Sequence, residues 1–374
     1  MSTSQPRAVF DVAGHAPVPA QVRDAFLAAL DEGWSDPRRL HSEGRRARAL
    51  VDGAREAIAG LVGARTEEVD LAPSHTAALQ SAVLTVARGR RRTGPGIVAS
   101  AVERMAVLDA ADHAGERRTV PVDGDGALDV DAFADAVSAG DVALAAVQHA
   151  NGEVGTRQPV GAAWQAARGA GVPLLVDAGS SFGHVPVGAE WDLLTLDPAD
   201  VGAVPGVAVL VTRAGVRRSP VGPPEDTERW FPGGVSVPAA LAAAVALQLA
   251  APRAGDPSLV ARVRERVAAE VPMTMVAGPA EPARRLPHVL TFSCLYVDGE
   301  AVVTALDRAG FAVASGSACT SATEQPSHVL AAMGALTQGN VRLTLPPETA
   351  AAQIERFCDQ LPGIVAEIRT RNGL

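Results

Sequence analysis

VALAAVQHANGEVGTRQPVGAAWQAARGAGVPLLVDAGSSFGH, residues 142–184, decides the fold. It opens on an apolar run (142–148), crosses a polar turn, enters a helical pattern (160–170), and ends in a second apolar run (173–176) closed by Asp177. Runs that are apolar at every position, rather than at alternate ones, belong to strands covered on both faces. A strand, a helix and a second strand at this spacing make a βαβ unit with parallel strands. Ligands of such sheets gather outside the carboxyl ends of the strands, where His149 and Asp177 fall.

The alternation continues on both sides. Apolar runs at 69–71, 96–99, 193–196 and 207–211, with helical patterns at 105–114 and 130–138, predict an α/β fold with a mostly parallel sheet. After an apolar helical stretch at 238–249 the pattern changes. A polar helix (257–270), strands at 289–293, 313–315 and 340–345, and helices at 299–308 and 350–371 predict a smaller α+β unit. The expected division is a large domain over 1–250, N-terminal segment included, and a small C-terminal domain over 251–374. Residues 221–228 (VGPPEDTE) read as a loop. There is no internal repeat and no low-complexity tail.

The 374 residues are 47% hydrophobic, ample for a packed interior. A net charge of −9 and a pI of about 5.4 argue against direct nucleic-acid binding through phosphates. MSTSQPRAVF lacks the pattern of a signal peptide, and the most apolar stretch, 238–252, is too short and Ala-rich to span a membrane. A cytoplasmic location is expected. Cys294, Cys319 and Cys358 are too few and too scattered for a disulfide framework. All 33 basic residues are arginine; the chain contains no lysine, where average composition gives roughly twenty. A mechanism that needs a side-chain amine for a Schiff base is therefore excluded.

Cys319 sits in VASGSACTSATEQPSHVL (313–330), flanked by small residues that suit an accessible, reactive thiol. A free cysteine is more often a buried small hydrophobe, which suits Cys294 and Cys358. Asp177 ends a strand, where it serves either ligand contact or a helix N-cap. Residues 73–76 (PSHT) join a strand to a helical pattern, a place where backbone N–H groups cradle phosphate. His149 is open to a core reading as well as a site reading.

Five stretches together resemble one family. DVAGHAP (11–17) resembles D-N-x-A-T-T-x-P, and SDPRRLHSEGRRAR (35–48) resembles N-P-S-S-x-H-x-x-G-R, with His41 and Gly44 in place. HANGEVG (149–155) resembles H-x-N-N-E-x-G, and VDAGSSFGHVPV (176–187) resembles V-D-A-x-Q-x-x-G. Residues 297–334, VDGEAVVTALDRAGFAVASGSACTSATEQPSHVLAAMG, follow the pattern almost residue for residue. The chain is similar to the cysteine desulfurases of the class V aminotransferases, pyridoxal phosphate (PLP) enzymes of fold type I. That resemblance implies a fold-type I transferase fold, a homodimer, and a loop cysteine that takes sulfur from cysteine as a persulfide. It makes Cys319 that cysteine, Asp177 the carboxylate facing the pyridine nitrogen, Thr76 a phosphate contact, and Arg342 the grip on the substrate carboxylate.

Elsewhere the pattern is broken. Against S-x-H-K-x-x-G-P-K-G stands Asp197-Pro198-Ala199-Asp200-Val201-Gly202-Ala203-Val204-Pro205-Gly206, so Asp200 takes the lysine position. Arg104 takes that of the ring-stacking histidine, Gly152 follows Asn151 where a second asparagine is usual, and Ser180 replaces a glutamine. Asn151, Ser180 and Arg104 thus join Thr76 and Asp177 around any cofactor, which at most binds noncovalently. Losing several acid–base groups, each worth about 10²–10⁴ in rate, predicts the absence of normal desulfurase turnover. The leading expectation is sulfur handling through Cys319, as a persulfide or as a thiolate ligand to a shared Fe–S cluster. An Fe–S scaffold or a tRNA-thiolation sulfur acceptor would be the partner. The alternatives are an active cysteine desulfurase or lyase holding PLP noncovalently, and a non-catalytic interaction subunit.

Overall fold

A computed structural model describes residues 7–223, 230–250, 255–315 and 326–373. The elements in chain order are β1 (Ala8–Val9), α1 (Ala20–Glu32), α2 (Ser42–Val62), β2 (Val69–Ala72), α3 (His75–Gly89), β3 (Gly96–Ser100), α4 (Met105–Ala114) and β4 (Glu116–Val120). There follow α5 (Val130–Val137), β5 (Val142–Gln148), α6 (Val160–Gly169), β6 (Leu174–Asp177), β7 (Leu193–Leu196), β8 (Ala208–Thr212) and α7 (Val237–Ala250). The last part holds α8 (Pro257–Glu270), β9 (Thr274–Val276), β10 (Val289–Cys294), α9 (Gly299–Arg308), β11 (Phe311–Ala312), α10 (His328–Ala332), β12 (Asn340–Thr344) and α11 (Ala351–Arg371).

Seven strands form one sheet in the order β2-β8-β7-β6-β5-β3-β4, parallel throughout except where β8 runs against both β7 and β2. Every residue of β5 is buried, as its unbroken apolar run requires. The helices cover both faces, giving the α/β architecture expected. α2 shows how: Ala47, Val51, Ala54 and Ile58 recur on one stripe against the core, while the His41 ring accepts a hydrogen bond from Gly44 N (3.2 Å) to start the helix. Gly63 stops it in the left-handed region at φ 61°. α7 is buried nearly all round because its alanines let α1 and α2 approach closely, so its apolarity reflects the core. Among the described residues no helix is long and apolar enough to cross a membrane.

A second core is built on the antiparallel sheet β12-β10-β9 with α8, α9 and α11. The N-terminal strand belongs with it. β1 pairs in parallel with β11, and Phe10 packs on Phe311 (ring centroids 6.1 Å) and edge-on to Phe357 (5.9 Å). Residues 8–10 thus contact this second core, while Gly14 N and Ala16 N bond to Asp200 and Ala199 beyond β7. The strand expected at 313–315 lies instead at Phe311–Ala312, because its partner β1 is two residues long; Ala314 makes only an isolated bridge to Arg342. The edge strand β4 (ERRTV) lay outside the sequence reading, since an edge tolerates polar residues at positions a buried strand does not.

Candidate functional site

The carboxyl ends of β3, β5, β6 and β7 converge on Asp177, the last residue of β6 and only 3% exposed. Its Oδ1 lies 2.9 Å from His75 Nε2 and accepts from Gly179 N (2.9 Å) and Thr195 Oγ1 (3.2 Å). Its Oδ2 accepts from Arg104 Nε at 3.0 Å. Local structure places each donor. His75 is the first residue of α3, whose cap Ser74 accepts from Ala77 N (3.1 Å), and Arg104 caps α4 directly after β3. Burial opposes the Asp177 charge, but His75 and Arg104 beside it hold the carboxyl well below the usual range. Arg104 also donates from Nη2 to Ser180 Oγ at 2.6 Å. Gly152 completes this unit, since a Cβ there would meet Ser180 Oγ at 2.4 Å.

A second buried group lies nearby. Asp200 sits in the short helical turn after β7, where its Oδ1 accepts from Gly14 N at 2.7 Å. Its Oδ2 is 3.4 Å from His184 Nε2, and the His184 ring stacks on His288 with centroids 3.6 Å apart at 20°. Burial raises the Asp200 carboxyl, yet His184, His288 and the Gly14 amide bring it below its ordinary value. Asp197 is pushed up by burial, with Oδ2 3.9 Å from His75 Nδ1.

The other expected site residues are dispersed. Thr76 is exposed on the first turn of α3. Asn151 is buried and engaged with the backbone: Oδ1 accepts from Glu153 N and Val154 N, and Nδ2 donates to Val102 O. It shapes the turn after β5 and has no free amide for a cofactor. Arg342 lies on β12, its Nη2 3.5 Å from Asp11 Oδ1, and its backbone pairs with Ala314, just before residue 316. Cys319 lies outside the described residues. Cys294 and Cys358 are both buried, and burial raises both thiols, that of Cys358 to about 11.

Sequence reasoning missed four side chains. His75 was read only as part of a backbone cradle, yet it is the main partner of Asp177. Glu103 is fully buried, accepts from Gln148 N at 2.8 Å, and is pushed up to about 8 by burial. His184 and His288 had no signal, because their partner is remote in sequence. His149 bonds to Ser181 Oγ (2.9 Å), and burial pulls it down to about 4, as the core reading expects.

The donor set does not fit the PLP that the resemblance implies. No side-chain amine exists, and both oxygens of Asp177 are occupied by this chain's own donors. The Arg104 guanidinium lies against Asp177, where a pyridine nitrogen would have to bind.

The sequence pattern of the aminotransferase class-V family matches residues 8–214 and 231–357. The chain is 31% identical over 380 residues to cysteine desulfurase IscS 1 of Archaeoglobus fulgidus, covering 98% of each. It is 36% identical over 367 residues to a cysteine desulfurase of Cereibacter sphaeroides, covering 92% of each. Among solved structures, a NifS-like protein superposes with a TM-score of 0.86 at 22% identity, over 96% of this chain and 100% of the other. The apo cysteine desulfurase of Thermococcus onnurineus gives 0.82 at 20% identity, over 96% and 95%. The match spans both cores and nearly the full length of relatives above 30% identity, so the chain is a member of the aminotransferase class-V family.

Proposed function

We propose that this chain handles sulfur through Cys319 and carries out no PLP chemistry of its own. The observation that carries the reading is the Arg104–Asp177 contact: the carboxylate that would orient the cofactor is bound, at 3.0 Å, by an arginine of the same chain. The other two thiols support Cys319 as the reactive one, because burial disfavours the thiolate that does the chemistry. In the transfer step the Cys319 thiolate attacks the terminal sulfur of a donor persulfide, R–S–SH. The new S–S bond forms as the old one breaks; Cys319 leaves as the persulfide and R–S⁻ departs as the thiolate. No external oxidant or reductant is consumed. The reverse step passes sulfur to an acceptor, an Fe–S scaffold or a tRNA-thiolation carrier. Arg342, on β12 and paired through its backbone with Ala314, would hold an anionic donor in this reading. The working unit is a cytoplasmic homodimer, in a compartment where thiols stay reduced.

The test is to treat the full chain with a low-molecular-weight persulfide and measure intact mass. One added sulfur, lost in Cys319→Ser and retained in Cys294→Ser and Cys358→Ser, supports the reading. Sulfide release from free cysteine by this chain alone after PLP addition would overturn it. So would undiminished sulfur uptake by Cys319→Ser.

A further inference from the structure

The carboxyl end of β5 opens on a pocket that the sulfur reading leaves unused. About 290 Å³ in volume, it lies between the first turn of α6 and residues 186–191, the segment leading toward β7. It is separate from the Asp177 site: Val176 lines it, and successive residues of a strand point to opposite faces. Val160, Val176, Val187 and Trp191 give it an apolar wall. Small-molecule pockets run from roughly 300 to 1,000 Å³, so this one suits a ligand of amino-acid size rather than a nucleotide.

Two groups of opposite charge enter the pocket. Arg157 donates from Nη1 to Ala283 O at 3.0 Å, which leaves Nε and Nη2 for a ligand. Glu190 has no hydrogen-bond or ion-pair partner among the described residues, Arg157 included. Gly161 N, in the first turn of the ten-residue helix α6, is also unbonded among the described residues, while Ala162 N and Ala163 N both donate to Pro159 O at 3.1 Å. An arginine beside a free N–H group at the positive end of a helix makes an anion site.

The independent sign of a ligand is His149, which lines the pocket and is 8% exposed. Its Nδ1 lies 2.9 Å from Ser181 Oγ, and Ser181 donates its own proton to Ala178 O at 3.4 Å. Nδ1 therefore carries the ring proton, and Nε2 is an acceptor with no partner among the described residues. Burial, and then the Arg157 charge, keep this ring neutral by pulling it down to about 4. Glu190 acts on the same ring with the opposite sign, which sets both charged groups near it. A neutral acceptor near an unpaired carboxylate calls for a cationic donor.

We propose that this pocket binds a free α-amino acid with an apolar side chain. Its carboxylate meets Arg157 and Gly161 N, its ammonium meets Glu190 and His149 Nε2, and its side chain packs on the valines and Trp191. A carboxylate alone leaves Glu190 unpaired, and an amine alone leaves Arg157; a ligand carrying both charges answers both. The site neither includes Cys319 nor needs PLP.

The test uses the full chain carrying Cys319→Ser, so that failure of the sulfur reading leaves the result unaffected. L-Leucine is titrated calorimetrically beside leucinamide, which lacks the carboxylate, and isocaproate, which lacks the amine. One equivalent of leucine is expected, with each analogue at least about 10-fold weaker through loss of a charge-assisted bond. Arg157→Gln should weaken leucine and isocaproate but not leucinamide. Glu190→Gln should weaken leucine and leucinamide but not isocaproate. A merely structural role would not give this crossed pattern. Should a variant fail to fold, the three ligands on the parent decide alone. Absence of leucine binding at millimolar concentration, or equal binding of leucine and both analogues, overturns the proposal. Leucine binding left unchanged by either variant overturns it equally.

Discussion

Gly152→Ala tests whether Arg104, Gly152 and Ser180 form one packed unit. The added methyl would lie 2.4 Å from Ser180 Oγ, 3.1 Å from Ser180 Cβ and 3.9 Å from Arg104 Nη2. Contacts this short force a shift, and Ser180 has two ways to give. Rotating its hydroxyl away forfeits the 2.6 Å bond from Arg104, a charge-assisted bond worth about 1.5–3 kcal/mol when dry. The Arg104 side chain is 40% exposed, which brings that loss nearer 1 kcal/mol. Moving the backbone instead carries the overpacking cost of about 1–3 kcal/mol. Gly152→Ala should therefore destabilise by about 1–3 kcal/mol in urea unfolding, as a shift in midpoint at unchanged slope. In a Ser180→Gly background both close contacts vanish, and the same substitution should cost at least about 1 kcal/mol less. Gly53→Ala, on the exposed face of α2 with nothing within 4 Å, is the control and should stabilise by about 0.5–1 kcal/mol. Additivity of Gly152→Ala and Ser180→Gly within about 0.5 kcal/mol would refute the unit.

Asp200→Lys alone should not restore cysteine desulfurase turnover, because Arg104 still occupies Asp177 and grouped catalytic residues are strongly non-additive; sulfide release at the rate of an active relative would refute this. A limiting alkylating reagent on the native protein should label Cys319 and spare Cys294 and Cys358 until unfolding, read by peptide mapping; equal labelling of all three would remove the case for Cys319. Glu103→Gln should change the pH dependence of stability. The Glu103 carboxyl is raised to about 8 by burial, so its contribution is intact below the ordinary carboxyl range and is lost as pH rises toward 8. Between pH 5 and pH 8 the wild type should lose up to a few kcal/mol relative to Glu103→Gln, at no more than about 1.4 kcal/mol per pH unit. Parallel stability profiles for the two proteins would count against a buried neutral Glu103.

What was legible in the sequence is what local pattern determines. Val142–Gln148 reads as a strand because every side chain is apolar, and the structure buries all seven. Pro257–Glu270 and Gly299–Arg308 have their expected bounds because Asp256 and Asp298 cap them with side-chain oxygens. The β1–β11 pairing joins residues some 300 positions apart, and two-residue strands carry no periodicity to reveal it. Within the site, Asp177 and Arg104 were each legible as candidates, but their contact was not. It depends on β3 and β6 lying on either side of β5, a fact of strand order rather than of motif. His184 and His288 were invisible for a similar reason: the turn after β6 brings His184 to Asp200, and the segment before β10 stacks His288 on His184, neither of which a local spacing reveals.

The electrostatics explain why these changes go together. In the resembling family a cationic cofactor ring would face the position of Asp177, and a lysine would stand at that of Asp200. Take both away and a carboxylate 3% exposed is left uncompensated, a defect that costs about 3–5 kcal/mol when one partner of a buried pair is removed. Arg104 supplies the missing charge from the position the motif gives to a stacking histidine, and His75 supplies a second partner from the other side. Ser180 takes up the far end of the guanidinium, and Gly152 clears the space that Ser180 needs. The Asp177 carboxylate is fully bonded within this chain, with Arg104 as its charged partner. Arg104→Leu should accordingly be worse tolerated than Arg104→Leu combined with Asp177→Asn, which removes the stranded charge. Equal stability of the single and double variants would show that Asp177 does not need Arg104.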